Sequence, residues 1–255
     1  MGSEIRSNRA QFRFYEELND FLPETQQYST IERAFDQHPS VKDMIESIGV
    51  PHTEIDLIIV NGESVDFSYR VADGDRISVY PVFESIDISS VVKLRPEPLR
   101  EPRFSVDANL GQLARYLRLL GFDTAYEREV SDAELAENSQ KEGRLLLTRD
   151  VGLLKRRTIT HGYFVRASDP HLQVIEVLAR FDLAGAARPF MRCTVCNGEL
   201  IPVDKNEVAD RVPEGSFNRF DEFRLCRGCG RVYWEGSHME RASRFVEEVL
   251  QASRS

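Results

Sequence analysis

The chain has 255 residues, 41% of them hydrophobic, with 15 glycines and 11 prolines, a usage that fits one large or two to three small globular domains and excludes a disordered chain. No run approaches the roughly 18 apolar residues that span a bilayer, and the start MGSEIRSNRAQF has neither the apolar core of a secretory signal nor the Ser or Thr that myristoylation needs at Arg6; a cytoplasmic protein with no membrane partner is expected. The formal net charge is -9, yet residues 1–100 hold 10 basic and 18 acidic side chains, 101–190 hold 13 and 13, and 191–255 hold 10 and 11, so the acidity that would repel nucleic acid is confined to the N-terminal part.

No internal repeat or low-complexity tract divides the chain. QFRFYEEL places Phe12 and Phe14 at strand spacing. SVKDMIESIGV puts Val41, Met44, Ile45 and Ile48 on one helical face, with Ser40 as N-cap and Gly49 as C-cap. EIDLIIVNGESVDFSY and GDRISVYPVF then read as strands joined by glycine turns. This order of strand, helix and strand pair resembles a ubiquitin-like β-grasp of the sulfur-carrier type. Such carriers end in a free Gly-Gly tail, and here PVFESIDISS runs on without one, so carrier chemistry is not expected. Residues 1–92 are expected to form a structural or docking β-grasp domain whose acidic surface takes a protein partner.

KLRPEPLREP, residues 93–102, holds three prolines among alternating charges and reads as a linker. Beyond it, RFSVD, ANLGQLARYLRLLG, FDTAYE, SDAELAENSQKEG, RLLLTRD, VGLLKRR, YFVRA and DPHLQVIEVLARF alternate strand and helix. Short apolar strands between helices predict a parallel sheet covered on both faces over residues 103–188. In the first of these helices Leu110, Leu113, Ala114, Leu117 and Leu120 share one face, Arg115 and Arg118 are placed on a more exposed side, and Gly121 ends the helix.

Ligands of open parallel sheets bind beyond the carboxyl ends of the strands. Asp107 ends FSVD, Asp150 ends LLLTRD, Asp169 follows YFVRAS, and Asp132 opens the helix after YEREV. Each also suits a helix start: Asp169 precedes Pro170, and Ser131 with Glu134 fits a capping box around Asp132. Two carboxylates about 5 Å apart repel by about 3 kcal/mol at an effective dielectric of about 20, so a cluster of four needs a cation. Hard oxygen donors in an open site suit Mg²⁺ or Mn²⁺. The expected chemistry is metal-assisted phosphodiester hydrolysis, in which a metal activates water and the same or a second one stabilises the leaving oxygen.

All four cysteines fall in CxxC pairs, Cys193 with Cys196 and Cys226 with Cys229, and 29 residues lie between the pairs. In a chain without a thioredoxin-like pattern this predicts one tetrahedral structural zinc within residues 189–255. Gly198 and Gly230 are the expected turn glycines, and VPEGSFNRFDEF is expected in a loop between strands. Arg224, Arg227, Arg231, Tyr233 and Trp234 either contact nucleic acid or, for Trp234, pack in the ribbon core. His238 reaches the active edge or makes a structural hydrogen bond.

VDANLGQLARYLRLLGFDT, SDAEL, GRLLLTRDVGLLKRR and the CxxC...CxxCGRVYWEGSH segment resemble the Mut-seven-C RNase family, PIN-like nucleases with an appended zinc ribbon, over roughly residues 101–240. Members with a ubiquitin-like N-terminal domain extend the resemblance to nearly the whole chain. It implies an α/β fold, RNA, in single-stranded form, as substrate, and Asp107, Asp132 and Asp150 at the acidic positions of the active site, with Asp169 a weaker match. Related sequences often carry another acid two residues after the TRD aspartate, where this chain has Gly152; that departure leaves open whether one metal or two are bound. Asn109 either hydrogen-bonds water at such a site or caps the helix, and Arg115 and Arg149 either clamp phosphate or stand as solvated or paired arginines. The rival reading is a non-catalytic adaptor that binds RNA or a ribonucleoprotein and docks a protein through its β-grasp. Neither reading fixes an oligomeric state.

Overall fold

Strand alternation sets the N-terminal architecture. In β1 (Asn8–Phe14), Ala10, Phe12 and Phe14 are buried while Arg9, Gln11 and Arg13 face solvent. β2 (Thr30–Phe35) follows, then α1 (Val41–Ile48), β3 (Ile55–Val60), β4 (Glu63–Val65) and β5 (Arg76–Pro81). The sheet order is β2-β1-β5-β3-β4, with β1 and β5 parallel and the other pairs antiparallel. This is the ubiquitin-like arrangement that the sequence predicts. α1 is bounded as expected: the Ser40 hydroxyl accepts the Asp43 amide at 3.1 Å, and Gly49 closes the helix at φ 138. Its buried face is Val41, Met44, Ile45 and Ile48. β2 escapes the sequence pattern because only Ile31 and Phe35 of its six residues are buried. A computed structural model of the chain describes residues 8–81 and 102–254, with the backbone alone of Ser237 and His238; the linker expected over residues 93–102 lies outside the described residues except at Pro102, as does the side chain of His238.

The second half alternates as predicted. β6 (Arg103–Val106) leads through a 3-10 turn at Ala108–Leu110 into α2 (Gly111–Leu119), β7 (Asp123–Tyr126), α3 (Asp132–Glu142), β8 (Leu145–Thr148), α4 (Val151–Leu154), β9 (Gly162–Phe164) and α5 (Pro170–Arg180). β6 lies between β7 and β8 and pairs in parallel with both, Phe104 standing opposite Thr124 on one side and Leu145 on the other. Residues 104–106 and all of β8 are buried, so these strands are covered on both faces. Leu110, Leu113, Ala114, Leu117 and Leu120 of the α2 segment are buried against them. Gly121 takes φ 93, and a Cβ there would lie 2.0 Å from the Arg188 carbonyl. Only glycine lets the 188–190 segment run so close that its amides bond the Leu120 and Leu119 carbonyls, both at 2.9 Å.

Arg118 departs from expectation. It is 4% exposed, with Nε on the Thr124 carbonyl at 2.9 Å and Nη1 on the Val195 carbonyl at 2.8 Å. Helical periodicity placed it beside Arg115, but its main-chain partners lie on β7 and in the first cysteine pair, where a long donor is needed in the interior.

The C-terminal strands β10 (Leu200–Val203), β11 (Phe223–Cys226) and β12 (Val232–Trp234) form an antiparallel sheet in that order. Between β10 and β11 a short helix α6 (Glu214–Arg219) occupies part of the expected loop, because Phe217 and Phe220 pack onto the Val208, Val212 and Phe223 cluster. α7 (Ser237–Ala252) places Phe245 against Tyr116, ring centres 4.2 Å apart, and against His171 at 5.3 Å. Among the described residues no helix is long and apolar enough to cross a membrane.

The chain divides into two compact units, residues 1–99 with 150–164 and residues 100–149 with 165–255. In the first, the segment from Lys155 to Phe164 bonds to main-chain and buried groups of the β-grasp. His52 Nε2 faces the Ile159 carbonyl at 3.0 Å and its Nδ1 faces Glu46 at 2.6 Å. Lys155 Nζ donates to the Glu46 carbonyl at 2.8 Å, and the Glu54 carboxylate, on a residue 1% exposed, accepts the Phe164 amide at 2.7 Å. Replacing Glu54 by Ala leaves the part-buried Phe164 amide without this acceptor, and a loss of about 1 kcal/mol or more is expected. Denaturant unfolding together with faster amide exchange at Phe164 reads it; unchanged protection there would contradict the assignment.

Candidate active site and zinc centre

Asp107 stands where β6 ends, and it does not serve as a helix cap. Its carboxylate makes no capping hydrogen bond to the 3-10 turn that follows, although its main chain does: the amide bonds the Leu147 carbonyl at 3.0 Å and the carbonyl takes the Leu110 amide at 2.9 Å. Oδ2 instead accepts the hydroxyl of Thr148, the fully buried last residue of β8, at 2.7 Å. Among the described residues the other oxygen receives no donor. The result is a carboxylate on a residue 8% exposed, held by one oxygen and open at the other. Thr148 had a signal in the sequence: it is the polar residue that ends the apolar run LLL.

The remaining predicted residues divide by what holds them. Asp132 is exposed at the first position of α3, whose capping is complete without its side chain: the Ser131 hydroxyl accepts the Glu134 amide at 3.3 Å, and Glu134 accepts the Ser131 amide at 3.1 Å. Asp150 and Asp169 are exposed and do cap helices. Oδ1 of Asp150 accepts the Gly152 and Leu153 amides at 2.7 and 3.3 Å, and Oδ1 of Asp169 accepts those of His171 and Leu172 at 2.9 and 3.2 Å. Asn109 is exposed and caps neither the 3-10 turn nor α2. Arg115 is exposed on α2. Arg149 turns Nη1 onto the carbonyls of Val165 at 3.1 Å, Arg166 at 2.6 Å and Ala167, which fixes the 165–167 segment.

The four cysteines converge. Their sulfurs lie within 4.8 Å of one another, with Cys193 and Cys229 at 3.7 Å and Cys196 and Cys226 at 3.4 Å. Disulfide sulfurs would be about 2.05 Å apart, whereas four thiolates about 2.3 Å from a tetrahedral zinc lie about 3.8 Å from each other. The two knuckles repeat one hydrogen-bond pattern. The Asn197 amide bonds the Cys193 carbonyl and the Gly230 amide bonds the Cys226 carbonyl, both at 2.9 Å; the Cys193 and Cys226 amides bond the Gly198 and Arg231 carbonyls at 2.8 and 2.9 Å. The left-handed turn residue in the first knuckle is Asn197 (φ 68), not Gly198, and in the second it is Gly230 (φ 71). Asparagine tolerates that conformation. Gly198 serves a different need, since a Cβ there would sit 2.8 Å from the Cys226 sulfur. Burial pushes the Cys193 thiol up, but the Tyr233 hydroxyl at 3.1 Å and the backbone amides of Cys196 and Val195 outweigh it and bring it to about 6. Burial and Cys193 push Tyr233 up to about 12. A thiolate accepting a phenol hydrogen is the form that ligates zinc.

Sequence reading missed how this centre is tied to the sheet. Asp123, at the start of β7, takes Arg144 at 2.7 Å and the Asn197 side-chain amide at 2.8 Å, with Arg103 and Arg192 at 3.4 and 3.6 Å. The Thr124 amide donates to Asn197 Oδ1 at 3.0 Å. Burial pushes the Asp123 carboxyl up, but the Arg144 and Asn197 hydrogen bonds and the charges of Arg144 and Arg192 bring it to about 2 from an ordinary 3.8. Nothing in the sequence marks Asp123, because its partners are scattered between residues 103 and 197.

Two outcomes follow. Metal analysis of the purified chain should give one zinc per chain, and Cys226→Ser should lose it and melt the ribbon, a structural zinc in small modules being worth roughly 10–16 kcal/mol; a metal-free but folded ribbon contradicts this. Asp123→Asn should cost about 2 kcal/mol at neutral pH. Because the folded-state carboxyl is depressed, that difference is complete above pH 3.8 and fades as pH falls through about 2; a thermal-melting series against pH reads it, and equal stability at pH 7 contradicts it.

Comparison with known proteins agrees with this architecture. The Mut7-C RNAse domain matches residues 102–246 and the Mut7-C ubiquitin domain matches residues 7–87. The crystal structure of SAMP1 from Haloferax volcanii aligns at 14% identity and a TM-score of 0.24, covering 31% of this chain and 99% of that one. A search of curated proteins gives no match. With a ubiquitin-like domain, a parallel α/β domain and a four-cysteine ribbon in that order, the chain belongs to the Mut7-C RNAse domain family.

Proposed function

We propose that this nuclease-type chain hydrolyses phosphodiester bonds of single-stranded RNA with a Mg²⁺ or Mn²⁺ ion held by Asp107 together with Asp132 and Asp150. One observation carries the reading: the Asp107 carboxylate is buried at the end of the central parallel strand, fixed through one oxygen by Thr148, and takes no part in capping. A buried carboxylate with an open oxygen is costly unless a cation or a strong donor completes it. Hard oxygen ligands fit these ions.

When bound, the ion supplies Lewis acidity toward the phosphate oxygens. The remaining work belongs to the chain. Thr148, by donating to Oδ2, keeps Asp107 in one orientation. Asp132 and Asp150 add carboxylates, and the capping bonds of Asp150 hold its side chain in place. Asp169 lies further along, its Oδ1 tied to α5, and we assign it to second-rank support of the site. Asn109, two residues past Asp107, offers an amide to substrate or water. Arg115 and the remaining donors of Arg149 bind phosphate oxygens, for which guanidinium geometry is suited. The zinc is structural, since protein sulfur fills all four positions.

The direct test is cleavage of a labelled single-stranded RNA by full-length, zinc-loaded protein with added Mn²⁺ or Mg²⁺. Wild type should cut only with the metal, and Asp107→Asn should cut slower by on the order of 10²-fold or more with circular dichroism and zinc content unchanged. Undiminished cleavage by Asp107→Asn sinks the site. Tight RNA binding without cleavage under either ion favours the adaptor reading instead.

A further inference from the structure

Gln112, Arg115, Tyr116 and Leu119 recur at i, i+3, i+4 and i+7 on α2 and so share one face. That face walls a cleft of about 470 Å³, closed on its other sides by the ribbon, including Arg224 and Trp234, and by α7. Arg115 is one turn into the helix, about 6 Å along its axis from the first residue, and the helix itself starts one 3-10 turn after Asp107. The cleft therefore lies on the same helix whose start adjoins the proposed active carboxylate.

Its lining carries three kinds of group. Aromatic surface comes from Tyr116, backed by Phe245 at 4.2 Å, and from Trp234, backed by Phe223 at 6.4 Å. Arg115 forms no ion pair with a described residue, and Arg224 rests Nη1 on the Met191 sulfur at 3.1 Å rather than on a carboxylate. Arg192 also lines the cleft but is committed to Asp123 and to the Asn197 carbonyl. Two carboxylates, Glu222 and Glu235, line the cleft as the residues next in sequence to the paired Phe223 and Trp234 at one end of the β11–β12 ladder, with Arg224 one step inside opposite Tyr233. Cations along α2 and the hairpin, carboxylates gathered at one rim and ring faces between them match what an unpaired RNA strand presents: phosphates, exocyclic amino groups and base faces. A duplex hides its base faces in the stack and could not use the rings.

We propose that this cleft holds a single-stranded segment of the RNA substrate, with phosphates at Arg115 and Arg224 and a base against Trp234; the inference rests on the ribonuclease reading. Trp234 is the chain's single tryptophan, so its fluorescence reports on this cleft. The full-length, zinc-loaded Asp107→Asn protein is titrated with an oligocytidylate of about ten nucleotides, whose bases carry an exocyclic amino group, without added Mg²⁺ or Mn²⁺. Saturable change in tryptophan emission is expected. Arg115→Ala with Arg224→Ala should weaken binding by at least about 10-fold and flatten the slope of log K against log salt by about 1.4, the value for two lost phosphate contacts on a single strand. If the double variant loses zinc, Arg115→Ala alone, at an exposed helix position, should flatten the slope by about 0.7. Binding seen by anisotropy of a labelled oligonucleotide with no change at Trp234, or with affinity and slope untouched by the arginine changes, overturns the cleft, as does no binding at all. Should Asp107→Asn still cut RNA while emission and slope behave as expected, the carboxylate assignment fails and the cleft stands.

Discussion

β6 is covered on both faces and paired on both edges, and the placement of every functional group in the second half depends on where that burial stops. Inside the strand the backbone is satisfied by main-chain pairing on both edges, with the buried Arg144 guanidinium adding a bond to the Phe104 carbonyl at 3.2 Å. At its carboxyl end the sheet has to return polar groups to water or to each other. Asp107 and Thr148, the last groups of adjacent parallel strands, do so by bonding to one another. A carboxylate fixed there is desolvated and oriented at once, the two conditions that make it useful to a cation.

The outer strand of the same sheet raises a second problem, an edge with open main-chain groups. The first cysteine knuckle covers it. Asn197 takes the Thr124 amide, Arg118 takes the Thr124 carbonyl, and Arg118 spans to the Val195 carbonyl within the knuckle. Asp123 adds the charge that holds Arg144, Arg192 and Asn197 together. The ribbon is thereby tied into the parallel α/β domain rather than appended to it, and the knuckle that carries Cys193 and Cys196 closes the open edge of the sheet.

Much of this was legible in sequence because it depends on local rules. The capping box at Ser131 and Glu134, the Ser40 and Gly49 helix bounds, the buried face of α2 and the paired CxxC spacing each follow from neighbours a few residues apart. β2 was not legible, since its apolar content is too thin for periodicity to register. Arg118 and Asp123 were misplaced or overlooked for one shared reason: their partners are main-chain and side-chain groups more than 70 residues away in the case of the knuckle. The same holds for residues 150–164. Their helix and strand could be read, but their hydrogen bonds to His52, Glu46 and Glu54 of the β-grasp span more than 100 residues. A protein partner docking on the β-grasp would therefore have to use a surface other than the one these residues occupy. Asp107 sits between the two cases. The sequence marked it as an acid at a strand end, and its burial, its bond to Thr148 and the absence of a capping bond separate it from Asp150 and Asp169.

The central claim, that Asp107 is a metal ligand rather than a structural acid, is tested most directly by anomalous diffraction from crystals of the full chain soaked in Mn²⁺. The account predicts a manganese peak within bonding distance of the Asp107 carboxylate that disappears in Asp107→Asn crystals. Manganese bound elsewhere with none at Asp107, or a peak that survives the substitution, contradicts it.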